Sequence, residues 1–168
     1  MTKHYEPLTD KAVELGATEA RLVRTGAIRF DRRSLLKCRF GCNRWGKYWT
    51  CQPHVGISME EFQESLNKYT QALLIQSSDP RVGQEVTVEI EKIAMLEYGA
   101  HFAFGMCLCV LCEECAYPDP CRYPHKARPS MDGMGIDIVK TVEPLGFQVK
   151  FDAEGKLLPA WYTMVLLD

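Results

Sequence analysis

A single α+β domain, in which helices pack on a mixed β-sheet and cysteine-rich loops project from strand ends, follows from three observations. The 168 residues are 46% hydrophobic and 25% charged, which is enough apolar material for one sizeable core and too little chain for two. Helical periodicity and strand-like runs succeed one another in an order that lays helices on a sheet. Eight cysteines fall into two groups, at 38–51 and 107–121, with none between them.

Residues 7 to 15 read as a short helix closed by Gly16, and Glu19 to Phe30 carries the β-branched and apolar content of a strand. Ser58 and Glu61 form a capping-box pattern, after which Met59, Phe62, Leu66 and Tyr69 fall on one helical face. Ala72 to Ile75 is a buried strand. Val86, Val88 and Ile90 alternate as in a strand, whereas Val86, Ile90, Ile93 and Leu96 form a helical stripe; length favours a helix ending near Gly99.

His101 to Met106 is an apolar strand leading into the second cysteine group. Ser130 to Thr141 reads as a helix with Pro144 and Gly146 at its end, followed by strand alternation at Phe147, Val149 and Phe151. Residues 152–155 form a turn into a last strand, Trp161 to Leu167. Leu15-Gly16 and Leu145-Gly146 are two short matches and establish no repeat. With neither a low-complexity segment nor a linker, residues 1–168 are expected to form one domain.

Twenty Lys and Arg against 22 Asp and Glu leave a formal charge of −2, which excludes a globally polycationic nucleic-acid binder. No apolar run reaches the length of a membrane span. The start, Met-Thr-Lys-His-Tyr-Glu-Pro, has no apolar stretch behind a basic end, so a cytoplasmic protein is expected. In that reducing setting, clustered cysteines point to metal or redox chemistry.

Cys109, Cys112, Cys115 and Cys121 read Cys-x2-Cys-x2-Cys-x5-Cys, with Pro124 shortly after. Three thiolates two residues apart let a tight loop reach three iron corners of one cubane while a more distant cysteine reaches the fourth. Structural zinc more often takes two separated Cys-x2-Cys pairs, and is the alternative here. Inert core thiols fit poorly, because the segment also carries Glu113, Glu114, Asp119, Arg122 and three prolines. Cys107, on the preceding strand, reads as a small core hydrophobe rather than a ligand. Arg122, Lys126 and Arg128 place positive charge nearby, to favour a reduced cluster, dock an acidic partner or solvate the surface.

Cys38-x3-Cys42-x8-Cys51 supplies three more thiolates among Trp45, Gly46, Tyr48, Trp49 and Pro53. A cubane held by three cysteines leaves one iron open, while Cys107 or His54 would complete a four-ligand iron-sulfur or zinc site. The competing reading is a cysteine-rich hairpin with an aromatic core. Arg32, Arg33, Lys37, Arg39, Arg44 and Lys47 run without an intervening acid and interleave with aromatics, a composition also found in single-strand nucleic-acid binders. His4, His101 and His125 are isolated. Asp132, Asp137 and Glu143 fall within one expected helix, where a solvated face is the default. No phosphate-binding glycine loop and no serine-nucleophile elbow occurs.

The block from Cys38 through Trp45-Gly46-Lys47 to Cys51-Gln52-Pro53, the second cysteine block with Arg122 and Pro124, and Arg128-Pro129-Ser130-Met131-Asp132 with Gly135-Ile136-Asp137 together resemble one family. It is the predicted metal-binding family catalogued as domain of unknown function 2284, whose members come largely from anaerobic bacteria and archaea. The resemblance covers most of the chain, roughly Phe30 to Phe147 and beyond. The family's usual Cys-Pro-Pro is Cys51-Gln52-Pro53 here, and its usual Ser-Met-Glu is Ser130-Met131-Asp132, departures that spare every thiol. The resemblance implies metal or cluster binding and supplies no reaction.

The resulting expectation is a 4Fe-4S protein that transfers single electrons to a redox partner protein. A second centre at Cys38, Cys42 and Cys51 would make it a two-cluster relay or a small oxidoreductase. The alternatives are a zinc-stabilised nucleic-acid-binding module, disfavoured by the overall charge, and a factor that delivers a metal or cluster to an acceptor. The sequence sets neither substrate nor oligomeric state.

Overall fold

Strands β2 (Gln71–Ser77) and β4 (Trp161–Leu167) form the centre of a four-stranded sheet ordered β1-β2-β4-β3, with β1 (Glu19–Arg24) and β3 (Phe104–Met106) at its edges. The computed structural model describes residues 4–154 and 160–168. All three strand pairings are antiparallel, where a mixed sheet was expected. The α+β architecture is as read from the sequence.

Both faces of the sheet are covered, which explains why β2 and β4 read as nearly continuous apolar runs. Alternate residues serve alternate sides. Leu73, Ile75, Val165 and Leu167 meet helices α1 (Pro7–Glu14) and α4 (Pro80–Glu97), through Leu8, Ala12, Val86 and Ile90. Ala72, Leu74, Met164 and Leu166 face the other way, onto Phe62 and Leu66 of α3 (Met59–Leu66) and onto Met131, Met134 and Ile136. That second layer carries the chain beside the first cysteine group.

Local chemistry sets the helix ends. Ser58 and Glu61 close the capping box reciprocally: the Ser58 hydroxyl accepts from the Glu61 N–H at 3.2 Å and the Glu61 carboxylate from the Ser58 N–H at 2.8 Å. Helix α4 begins earlier than its apolar stripe, because Asp79 Oδ1 accepts the Arg81 N–H at 2.8 Å and Pro80 supplies a first turn that needs no donor. Asp79→Ala is expected to lower stability by about 1 kcal/mol, read as a shift of the urea midpoint at unchanged slope.

Several elements are shorter than the sequence implied. Strand β1 stops at Arg24, where a tight helical turn, Thr25–Ala27, is held by the Thr25 hydroxyl on the Tyr69 carbonyl at 2.8 Å; beyond it Phe30 makes only an isolated bridge to Ile136. His101 and Phe102 lie in a turn before β3. The helix expected over 130–141 is interrupted by Gly133 and by Gly135 at φ +86°, leaving a single turn at Asp132–Met134 and a short α5 (Ile138–Val142). Phe147 is buried in the core but begins no strand. The expected turn at 152–155 is seen as far as Glu154, whose N–H reaches Asp152 Oδ1 at 3.0 Å; Gly155 lies outside the described residues. Among those residues, no helix is long and apolar enough to cross a membrane.

Candidate metal centre

Helix α4 holds both ends of the loop that carries the second cysteine group. At the entry, buried Gln84 accepts the Val110 N–H through Oε1 at 2.9 Å; at the exit, its Nε2 donates to the Lys126 carbonyl at 3.4 Å. Glu91, 7% exposed, does the same about two helical turns further on. It accepts the Gly105 N–H at 2.6 Å and a two-pronged contact from Arg128, Nε at 2.8 Å and Nη2 at 2.5 Å. The Cys107 N–H closes the neck of the loop on the Pro129 carbonyl at 2.9 Å. Arg128 is thus committed to a buried ion pair, and Arg122 donates to the Glu114 carbonyl within the loop.

Within that loop Cys109, Cys112, Cys115 and Cys121 all line one small cavity. Its remaining wall includes Tyr48, Trp49 and Thr50 from the segment after the first cysteine pair. Cys107 does not join them: it is 1% exposed, and burial pushes its thiol up to about 12.

The first group is assembled on helix α2 (Arg33–Gly41), which the sequence did not reveal. Asp31 Oδ1 accepts the Arg33 N–H at 3.0 Å at its start, and the Cys42 N–H bonds the Cys38 carbonyl at its end. Cys38 projects toward the Asp132 turn, where its thiol donates to Asp132 Oδ2 at 3.8 Å. Burial first, and then the charge of Asp132 and the neighbouring Cys42 and Cys51, push the Cys38 thiol up to about 12. Cys51 is pushed up to about 11 by burial and then by Cys42, against the opposing pull of Arg44 and the Thr50 hydroxyl. Cys38, Cys42 and Cys51 therefore sit within electrostatic reach of one another and of Asp132. Cys42 is exposed, and with Cys38 and Asp132 it borders an open cleft that also contains Ser34, Lys37 and Asp137.

The two groups are adjacent, and the 44–54 segment forms the wall between them. Arg44 Nη1 donates to the Cys109 carbonyl at 2.6 Å while its guanidinium lies 4.5 Å over the Tyr48 ring. Trp49 Nε1 donates to the Asp119 carbonyl at 2.8 Å, and the Trp49 edge meets Tyr117 at 5.0 Å. His54 stacks on Tyr117 at 3.9 Å with its Nε2 buried and unpartnered among the described residues. Thr50 lines the second cavity while Cys51, the next residue, belongs with Cys38 and Asp132. The charges that act on Cys107 come from Cys109, Arg128 and Glu91, so it is tied to the second loop and not to Cys38.

Sequence spacing located the thiols but not their supports. Asp132 was assigned to a solvated helix face, and the turn made by Gly133 and Gly135 places it on Cys38 instead. Glu91 and Gln84 have no sequence signal beyond being polar on the buried stripe of α4. In the basic run, Arg32 pairs with Glu60 and Arg33 with Asp31, and Arg44 binds the second loop.

Among the described residues, no three His, Cys, Asp or Glu side chains converge on a single point as one bound ion would require; the second-group thiols surround a space. A family model described as "Predicted metal-binding protein (DUF2284)" matches residues 21–167. No curated protein and no solved structure matches the chain.

Proposed function

Because the chain belongs to this predicted metal-binding family, we propose that it is an iron-sulfur protein in which Cys109, Cys112, Cys115 and Cys121 hold a 4Fe-4S cluster and exchange single electrons with a partner protein. The observation that carries this reading is that all four thiols line one cavity, on a loop whose two ends are fixed to the same helix. A cubane offers one iron at each of four corners and so accepts thiolates spread around it, whereas zinc draws four sulfurs to about 2.3 Å from one centre. Such a cluster supplies a reversible one-electron couple.

The chain's own residues do the rest. Tyr48, Trp49 and Leu111 keep water from the cavity, which limits hydrolysis of a cluster and tunes its potential. The clamps at Gln84 and Glu91 keep the thiols in register, so the ligand geometry needs little reorganisation when charge changes. Cys38, Cys42 and Cys51 form a second centre just across Thr50, which suits a two-cluster relay or a small oxidoreductase. The pairings of Arg32, Arg33 and Arg44 weigh against the nucleic-acid alternative, because those cations already have partners within the chain.

Iron, acid-labile sulfide and zinc content, with the visible spectrum of protein purified without oxygen, tests the proposal. Brown protein with about four iron and four sulfide per chain, falling to near zero in Cys112→Ser, is expected for one cubane, and about eight of each for two. Colourless protein with zinc and no sulfide would overturn it in favour of a zinc-stabilised module.

A further inference from the structure

We infer that Asp132 is the fourth protein ligand of the centre at Cys38, Cys42 and Cys51, giving a three-thiolate, one-carboxylate cluster whose oxygen-ligated iron faces an open cleft and takes a small anion. The inference rests on the iron-sulfur reading above and adds the ligand set, the exchangeable position and the class of molecule that reaches it.

Four observations converge on this assignment. Asp132 Oδ2 lies 3.8 Å from Cys38 Sγ and accepts its weak S–H hydrogen bond. Its position is fixed: the Asp132 Oδ1 atom accepts the Gly133 N–H at 3.0 Å, so Oδ2 is the oxygen left to face the thiols. Gly135, at φ +86°, turns the chain so that the 131–136 segment is anchored in the core by Met131, Met134 and Ile136 while Asp132 stays at its edge. Finally, three thiolates and a carboxylate are an unequal donor set. The soft sulfurs suit iron-sulfur chemistry, and the hard oxygen is the donor most readily replaced.

The cleft of about 260 Å³ bordered by Cys38, Cys42 and Asp132 gives that position access to solvent. Its charged groups are unevenly satisfied. Asp137 caps α5 through the Lys140 N–H and pairs with the Lys140 amine at 3.3 Å, whereas the Lys37 amine makes no ion pair or hydrogen bond among the described residues. The unneutralised ammonium beside an exchangeable iron favours a small anion with a donor atom at one end. By contrast, Tyr48, Trp49 and Thr50 cover the Cys109 cavity, which has four thiols and no carboxylate in its lining. One centre is closed for electron transfer and the other is open to a ligand.

The test uses the full chain reconstituted anaerobically with iron-57 and sulfide. In the parent protein, Mössbauer spectra should show one iron of the second centre with an oxygen-ligated signature. One-electron oxidation of that centre by ferricyanide, which becomes ferrocyanide, should release this iron as ferrous ion and leave the electron paramagnetic resonance signal of a three-iron cluster. Asp132→Cys should abolish both features at unchanged iron content. Asp132→Asn, which keeps the shape and the Gly133 contact, should lose the iron at least about tenfold faster. Carbon-13-labelled cyanide should broaden the parent's reduced-cluster signal, less so in Lys37→Met, and not in Asp132→Cys. Identical three-iron yields in the parent and Asp132→Cys overturn the inference. So does unchanged iron content in Cys38→Ser, which leaves the Cys109 cluster standing; unchanged iron in Cys112→Ser would instead remove the iron-sulfur reading itself.

Discussion

Glu91→Ala should destabilise the protein by about 3–5 kcal/mol, because it leaves the Arg128 guanidinium buried without its counter-charge. The Arg128 side chain is 15% exposed and that of Glu91 10%, so water offers little compensation. The substitution also orphans the Gly105 N–H, a donor inside the sheet edge that feeds the second cysteine loop. Glu91→Gln should cost less than Glu91→Ala, since one oxygen still accepts from Gly105 and from Arg128 Nε, while the charge is lost and the amide nitrogen sets a donor against Arg128 Nη2. The double change Glu91→Leu with Arg128→Met should recover much of the loss, because two matched charges leave the interior together. Urea midpoints rank the four proteins. In each, the rate at which a chelator strips bound metal should follow the ranking, since Gly105 and Arg128 sit at opposite ends of the same loop. Equal rates of metal loss across the series would show that this clamp does not hold the second cysteine loop.

The elements that were legible in the sequence are those whose stability rests on an apolar stripe. Helix α3 shows its capping box and its buried Met59, Phe62 and Leu66, and β4 is read correctly at both ends because six of its seven residues are buried. Helix α2 is the opposite case. It buries no residue, and Leu36 and Phe40, the pair at helical spacing, are 58% and 79% exposed. Its helicity depends on contacts with the Asp132 turn a hundred residues away, which no local pattern encodes. The segment 130–141 misled for the same reason: its apolar residues do enter the core, but through a left-handed glycine turn and not along one helical face.

A similar division runs through the site. Thiol spacing along a tight loop is a local property, so Cys109, Cys112, Cys115 and Cys121 could be grouped from the chain alone, and they line one cavity. What joins the two cysteine groups is long-range and backbone-mediated, Arg44 to a carbonyl at Cys109 and Trp49 to a carbonyl at Asp119, and the second loop is tied to α4 in the same way, by Gln84 to the backbone at Val110 and Lys126. A carbonyl acceptor leaves no mark on sequence. The basic and aromatic run therefore looked like a nucleic-acid surface, although part of it packs against the neighbouring loop.

Removing the metal should reverse the sign of the pH dependence of stability. In the apo-protein, burial holds the Cys107 thiol protonated up to about 12, while the unfolded chain's thiol ionises near 9. Between those values the folded state binds more protons, so the contribution is fully present below about pH 9 and is lost as pH rises toward 12. From pH 8 to 9.5 this thiol alone should cost about 0.8 kcal/mol, and Cys38 and Cys51, raised by burial but partly exposed, should add smaller losses in the same direction. Tyr5, Tyr69 and Tyr162, also raised by burial, add losses of the same sign as pH nears 10, so the thiol's share is read as the difference from Cys107→Val. Cys107→Val should remove its share, flattening the urea midpoint over this range. In the loaded protein the ligand thiols have already lost their protons, and unfolding returns one to each at neutral pH. The four thiolates of the proposed Cys109 centre alone then make stability rise by about 5 kcal/mol per pH unit between pH 6 and 8, so loaded protein should gain thermal resistance where the apo-protein is level. A loaded protein whose midpoint ignores pH over that interval would mean that the cysteines do not bind as thiolates.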